Sequence, residues 1–532
     1  MLILNPGSSV WTEQRIPNPQ VTRSNRVRGM ERKQKGRLLM NVIFILSDSL
    51  NRHFLSIYGN TWLKTPNIER LAKRSVIFEQ HYTGSAPCMP ARRDIWTGCI
   101  EFPWRGWGPR EHFDEHIALL CRTKGIPTQM FTDHYHYWEI GGTGYHTEFD
   151  GCEMIRGHEC DYWACEPCLR DRNKLSFHGQ RNHFQQYIMN SSRFKTEEDF
   201  PSPKTLSLAA EWLDRNAKYM PFFLAIECFD PHEPFHVPEP YYTMYGQPVE
   251  GETYWPSYGR ADRYSPEIIE RIRQLYAGKV TMFDRWLGQV LDRIDRYNLW
   301  DNTVIIFTAD HGHYLGEHGL VGKPYANPWN TLFHIPLLIH FPGAPEGIRT
   351  SALSTAVDIF ATIADALELP LRKMCHGHSL LPVVKGECKS VRDSVMMGYW
   401  GRSVAFTDGQ YKLHQAPNSE NQPLYKYGVE ISRMRALRSL PEGVEIGRFI
   451  SHAPNALVLR IPCREEEVRR EVPSEPLQTQ LFDIQADPHE TRNLADSRQD
   501  IRREMQRKLV NYMKEIKVPE EQYKRLGLTE FC

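Results

Sequence analysis

Short, unbroken runs of apolar and partly β-branched residues recur along the chain, separated by stretches whose apolar positions fall three and four apart. Val42 to Leu46 is one such run and Thr303 to Thr308 another. Runs of this length without polar alternation predict parallel strands buried on both faces. Phe222 to Cys228, Ile335 to Phe341 and Thr128 to Thr132 read as further strands. Ile117 to Lys124 and Val357 to Leu367 predict helices, and Thr205 to Ala217 an amphipathic one. The longest helical pattern covers Pro266 to Tyr297, where Ile268, Ile272, Leu275, Leu287, Val290 and Ile294 form one stripe.

Alternating strands and helices predict an α/β fold with a mostly parallel central sheet and helices on both faces. After residue 390 the pattern changes to short strands, Val395 to Tyr399 and Gln410 to His414. A charged, polar stretch over 416–478 and a helix from Asp500 to Ile516 follow. The expected organisation is a leader over 1–39, a main unit over 40–390, and a smaller C-terminal α+β subdomain over 391–532.

Chemistry concentrates where the apolar runs stop. The first ends in Ser47-Asp48-Ser49, and the run from Thr303 is followed by Ala309-Asp310-His311-Gly312. In an open α/β sheet, ligands bind beyond the carboxyl ends of the strands. Two carboxylates and an imidazole there make a candidate divalent-cation site. Between them lies Cys88-Met89-Pro90-Ala91-Arg92. Pro90 suits a first helical position, which would set the sulfur near a helix N-terminus and beside Arg92, both favourable to a thiolate or an anion. Alone, the segment reads equally as a buried cysteine next to a capping turn.

Taken together, these motifs resemble the type I, formylglycine-dependent sulfatases of the alkaline phosphatase superfamily. Cys88, Pro90 and Arg92 match the family's C-x-P-x-R, with Thr97-Gly98 like the T-G that follows. Asp301-Asn302-Thr303, Asp310-His311-Gly312, Leu315-Gly316, His318-Gly319-Leu320 and Lys323 are similar to its D-N-T, D-H-G, L-G-x-H-G-L and K block. Pro231-His232-Glu233-Pro234 resembles its P-H-x-P turn, and Leu481-Phe482-Asp483 with Asp487-Pro488-His489-Glu490 and Asn493-Leu494 its C-terminal motif.

The resemblance implies an alkaline-phosphatase-like fold and a specific chemistry. Cys88 would be converted to formylglycine by a formylglycine-generating enzyme. One hydroxyl of the hydrate attacks the ester sulfur and displaces the alcohol, and the second expels sulfate as the aldehyde re-forms. Asp48, Asp310, His311 and the modified Cys88 would hold one divalent cation, Arg92 the hydrate, and His232 and Lys323 the sulfate. His318 would contact substrate from a neighbouring loop. Calcium is the expected ion and manganese the alternative, because Ser49 stands where many members carry a second aspartate and His311 where asparagine is commoner. Those two departures also resemble the phosphonate monoester and phosphodiester hydrolases of the superfamily. A third departure is Thr132-Asp133-His134-Tyr135-His136, where many relatives have Gly-Lys-x-His. One of the two histidines is expected to take the acid–base role, His136 in preference, with His134 contacting substrate.

Composition narrows the picture. Lys+Arg and Asp+Glu balance at 65 each in 532 residues, so no one-sided field argues for a nucleic-acid partner. No stretch approaches the roughly 20 apolar residues that span a bilayer. Residues 1–39 show no signal-peptide core and are basic, with Arg23, Arg26, Arg28 and Arg32 among them, which predicts a cytoplasmic protein with a disordered leader. Cys165 and Cys168 with Cys152, Cys160 and His158 resemble half a zinc site, but without a second pair the expectation is a surface excursion with free thiols. Three functions follow: hydrolysis of a small-molecule or carbohydrate sulfate ester, hydrolysis of a phosphonate monoester or phosphodiester, or non-catalytic anion binding. The expected pocket sets a cation, Arg92, Lys323 and His232 against two carboxylates. A homo-oligomer is compatible with all of this.

Overall fold

Side chains of the first strand, β1 (Asn41–Asp48), enter two different cores. Ile43 and Ile45 pack into one, and Val42, Phe44 and Leu46 into the other, which is why this run carries no polar alternation. The computed structural model describes residues 40–169, 181–371, 374–431, 438–468 and 477–532; the basic leader lies outside them. β1 is central in an eight-stranded sheet. The other strands are β2 (Val76–Tyr82), β3 (Thr128–Thr132), β4 (Gly151–Met154), β5 (Phe223–Pro231), β6 (Thr303–Ala309), β7 (Leu337–His340) and β8 (Arg349–Thr355). Their order is β8-β2-β7-β6-β1-β5-β3-β4. Neighbours pair in parallel except at β7, which runs antiparallel to both β2 and β6.

Helices cover the faces, among them α1 (Cys88–Thr97), α2 (Ile117–Lys124), α3 (Pro201–Asn216), α4 (Pro266–Arg296) and α5 (Val357–Ala366). α3 and α4 place Leu206, Leu213, Ile272, Leu275 and Leu287 in the core with Ile43. α1, α2 and α5 place Ile95, Trp96, Ile117 and Phe360 in the core with Phe44. The fold is the α/β architecture that strand–helix alternation predicts, a mostly parallel sheet covered by helices, and it agrees with the fold the resemblance implies.

Two helix starts differ from expectation. α1 begins at Cys88 itself, two residues before Pro90, and α3 begins at Pro201 rather than near Thr205. First-turn prolines give up only amides that have no intrahelical acceptor, so Pro90 and Pro203 sit inside their first turns without cost. α1 stops at Gly98, whose φ of 71° is left-handed. A Cβ there would lie 2.6 Å from Phe360 Cδ1 on α5.

Beyond residue 390, Val395–Gly398, Val404–Thr407, Tyr411–Gln415 and Gln480–Asp483 form an antiparallel sheet, with Met505 and Leu509 of the helix Gln499–Glu515 in the same core as its Phe406 and Leu413. The polar stretch over 416–478 holds a further sheet, Tyr425–Gly428, Val458–Pro462 and Glu445–Gly447, which its charge conceals. Its Tyr427, Val458 and Ile461 are buried. No helix among the described residues is long and apolar enough to cross a membrane.

Candidate active site

β1 and β6 are neighbours in register, Leu46 beside Thr308 and Ser47 beside Ala309, so their carboxyl ends deliver Asp48 and Asp310 to one place. α1 presents Cys88 and Arg92 to the same place from the far side of the loop after β2. All four side chains are fully buried. The ligand atoms of Asp48, Cys88, Asp310 and His311 lie within 4.8 Å of one another.

Each group is held by contacts that fix its lone pairs. His311 donates Nδ1–H to the Gly312 carbonyl at 2.7 Å, which turns Nε2 toward Cys88 Sγ at 3.3 Å. Gly312 has no room for a side chain, since a Cβ would sit 2.1 Å from the Thr331 carbonyl oxygen. Asp310 Oδ1 accepts the amides of Ser49 (2.9 Å) and His311 (2.7 Å). Arg92 Nη1 bridges Asp310 Oδ2 at 2.5 Å and Asp48 Oδ2 at 3.0 Å, and Arg92 Nε lies 3.3 Å from Glu227 Oε1. Arg92 Nη2 and Asp48 Oδ2 have no well-aligned hydrogen-bond partner among the described residues. Ser49, with φ of 62°, donates its hydroxyl to Asp48 Oδ1 at 2.7 Å and accepts Lys323 Nζ at 3.3 Å.

The electrostatics follow from this crowding. Burial pushes the Asp48 carboxyl up, but Arg92, Lys323, His232 and His311 hold it well below the usual carboxylate range. Burial and Asp48 also push the Cys88 thiol up, yet Lys323, His311 and His232 bring it down to about 7. His232 stays cationic despite burial, because Glu233, Glu159 and Asp48 surround it. Lys323 is likewise held protonated against burial by Cys88, Glu233 and Asp48.

The two candidate acid–base histidines occupy different surroundings. His134 is buried, with Nδ1 3.8 Å from Asp48 Oδ2 and Nε2 against Met89 S at 3.2 Å. Burial and Arg92 keep it neutral. His136 pairs with Glu139 at 2.6 Å and lies edge-on to Trp107. His318 is exposed and stacked on Trp329 at 4.2 Å, outside the group around Cys88.

Several residues of the site carry no sequence signal. Glu227 on β5 accepts Tyr137 Oη (2.8 Å) and Thr132 Oγ1 (3.2 Å) as well as facing Arg92. Lys279 in α4 donates to the His232 carbonyl at 2.6 Å and pairs with Asp230 at 2.7 Å. Glu159 lies 3.0 Å and Glu233 3.3 Å from His232 Nδ1. These carboxylates correct the expected charge balance, which counted only Asp48 and Asp310. The excursion is also more than surface: Cys165 and Cys168 are exposed free thiols, but Cys160 is buried beside Tyr135.

The donor set at Asp48, Asp310 and His311 fits a divalent cation, with oxygen ligands, one imidazole lone pair and an under-used carboxylate oxygen. Among the described residues, two other groups bring ligand atoms equally close. In Cys99, His376 and His452, the Ile100 amide donates to His376 Nδ1 at 3.0 Å. The His376 proton then sits on Nε2, which has no lone pair for a metal. In Glu159, His232 and Glu233, the imidazolium already plays the cation.

A family model described as Sulfatase matches residues 40–369. The chain is 26% identical to the multifunctional alkaline phosphatase superfamily protein PehA of Trinickia caryophylli, over 64% of this chain and 76% of that one. It is 25% identical to the choline-sulfatase of Rhizobium meliloti, over 70% of this chain and 77% of the relative. The crystal structure of the phosphonate monoester hydrolase of Agrobacterium radiobacter superposes with a TM-score of 0.65 and 21% identity, covering 90% of this chain and 96% of that one. The chain belongs to the sulfatase family of the alkaline phosphatase superfamily, hydrolases of sulfuric esters.

Proposed function

We propose that the chain hydrolyses a sulfate monoester of a small molecule or carbohydrate at the centre formed by Asp48, Cys88, Asp310 and His311. The convergence of these four buried groups beside Arg92, Lys323 and His232 carries this reading. Oxidised to formylglycine by a generating enzyme, residue 88 supplies a hydrated aldehyde as nucleophile. Asp48, Asp310, His311 and the modified Cys88 would hold a divalent cation, calcium or manganese, which would lower the pKa of the hydrate and offset charge on the ester oxygens. Arg92 aligns residue 88 against the two carboxylates, and its free Nη2 offers a donor to oxygen. Lys323 and the imidazolium of His232 balance charge that grows on the sulfate oxygens. His134 or His136 passes a proton to the leaving alcohol.

A second reading, hydrolysis of a phosphodiester or phosphonate monoester, rests on Ser49. Its hydroxyl bridges Asp48 and Lys323 where a second carboxylate would add charge. All these esters carry one negative charge, so charge alone does not separate them. Specificity constants for 4-nitrocatechol sulfate, a bis-aryl phosphate and a phenyl phosphonate decide between them. Sulfate is expected to lead, and a higher constant for either phosphorus ester than for every sulfate tried would overturn the first reading. Cys88→Ala should abolish turnover of whichever ester leads, with the fold intact. Mass spectrometry of the active enzyme should find the aldehyde or its hydrate at residue 88.

A further inference from the structure

Glu159 belongs to the excursion after β4 and is held in a strained place. Its φ is 40°, a left-handed conformation that a non-glycine residue keeps only where its surroundings impose it. Those surroundings are specific. Asp161 accepts the Gly157 amide at 2.9 Å, Arg156 Nε at 2.7 Å and Trp138 Nε1 at 3.1 Å. Asn190 Nδ2 donates to the Asp161 carbonyl at 2.7 Å and to the Glu159 carbonyl at 3.3 Å. The turn so braced sends the Glu159 carboxylate inward, 7% exposed, where Oε2 accepts the Tyr135 hydroxyl at 2.7 Å and Oε1 lies 3.0 Å from His232 Nδ1.

A carboxylate placed this deep costs stability unless it is paired. Packing alone would be served by an uncharged residue here. On its Nδ1 side, His232 meets its neighbour's carbonyl at 2.7 Å, Glu159 Oε1 and Glu233 Oε2. With that nitrogen engaged, Nε2 is the nitrogen left to act toward Cys88, whose thiol His232 helps to bring down. Glu233 is itself shared, since it accepts the Tyr258 hydroxyl and lies 3.8 Å from His313 Nδ1. Glu159 meets Tyr135 through Oε2 and His232 through Oε1.

We propose that Glu159 is a positioning residue for the reaction: it clamps the Nδ1 edge of His232 so that Nε2 is presented to the ester at residue 88. This rests on the reading above that His232 faces the ester. The excursion is then a working part of the site. Its contact acts as charge develops, so kcat responds more than KM.

Kinetics of Glu159→Gln, His232→Gln and the double variant on 4-nitrocatechol sulfate, or on the phosphorus ester if that is the better substrate, test the assignment. Glu159→Gln should lower kcat about tenfold with KM nearly unchanged, and should change kcat by less than about twofold when His232 is already glutamine. Cys165→Ser, exposed on the same excursion, should leave both constants as they are. Should Glu159→Gln fail to fold, Glu159→Asp replaces it in the same cycle. The proposal is overturned if kcat is unaffected, or if the loss is as large in the His232→Gln background, which would mark a structural role. If His232→Gln itself leaves kcat/KM untouched, the reading of His232 fails instead.

Discussion

Arg92 and Asp310 define what a single residue contributes here. The guanidinium is wedged between the two carboxylates proposed above as cation ligands, and Asp310 is the one tied to both the Ser49 and the His311 amides. Removing it takes away a ligand, loosens His311 and leaves Arg92 with a weaker anion. Asp310→Ala should therefore bring bound metal close to zero by elemental analysis, and chelation should inactivate the wild-type enzyme. A full equivalent of metal in that variant would show the ligand set to be wrong. Lys323, proposed above to face the ester, lies 3.9 Å from Asp48 and is bonded to Ser49. Lys323→Ala should cut kcat/KM by about two to three orders of magnitude, the usual effect of losing one transition-state charge contact. A loss below about tenfold would place Lys323 outside the developing charge.

At the scale of elements, the strand ends were legible because each is an apolar run closed by a carboxylate, and β1 and β6 carry their register in that pattern. The side chains that come from mid-element positions were not. Glu227 lies inside β5 and Lys279 inside α4, where neither spacing nor composition marks them, and Glu159 reaches the site only through a fold of the chain after β4. Asp133 shows a further link between elements. It follows β3, accepts the Phe229 amide of β5 at 2.6 Å and the Ser202 hydroxyl of α3 at 2.7 Å. Burial and Asp230 push its carboxyl up to about 7. An unfolded aspartate titrates near 3.9, so between roughly pH 4 and 7 the native state holds a proton that the unfolded chain has lost, and stability falls as pH rises through that window. Asp133→Asn keeps an acceptor for Phe229 and presents a donor to Ser202. Its melting temperature should fall less than that of the wild type between pH 4.5 and 7.5, and parallel curves would mean that Asp133 is ionised throughout.

At the scale of the whole molecule, Glu490 is one of the ties between the C-terminal sheet and the main unit, reaching the loop that follows Lys323. Its Oε1 pairs with Lys412 Nζ at 2.9 Å and His414 Nε2 at 3.1 Å, and its Oε2 accepts the Asn330 amide at 2.5 Å. Lys412 also donates to the Pro328 carbonyl at 2.6 Å, and the charged groups are fully buried. The motif Asp487-Pro488-His489-Glu490 was visible in the sequence, but the partners that give it this work lie 70 to 160 positions away. Burial pushes the Glu490 carboxyl up, yet Lys412 and His414 bring it down to about 2. The native state therefore keeps a charge that the unfolded chain loses near pH 4.3, and the resulting stability is full above that value and lost as pH falls toward 2. Glu490→Gln leaves Lys412 buried without its anion, which typically costs about 3–5 kcal/mol. Urea unfolding at pH 7 should show a deficit of that order, and at pH 3 the gap to wild type should narrow. Because Pro328 and Asn330 close the loop carrying Lys323, kcat/KM should fall as well. A deficit under about 1 kcal/mol at pH 7, or one that is unchanged at pH 3, would remove Glu490 as a tie between the C-terminal sheet and the main unit.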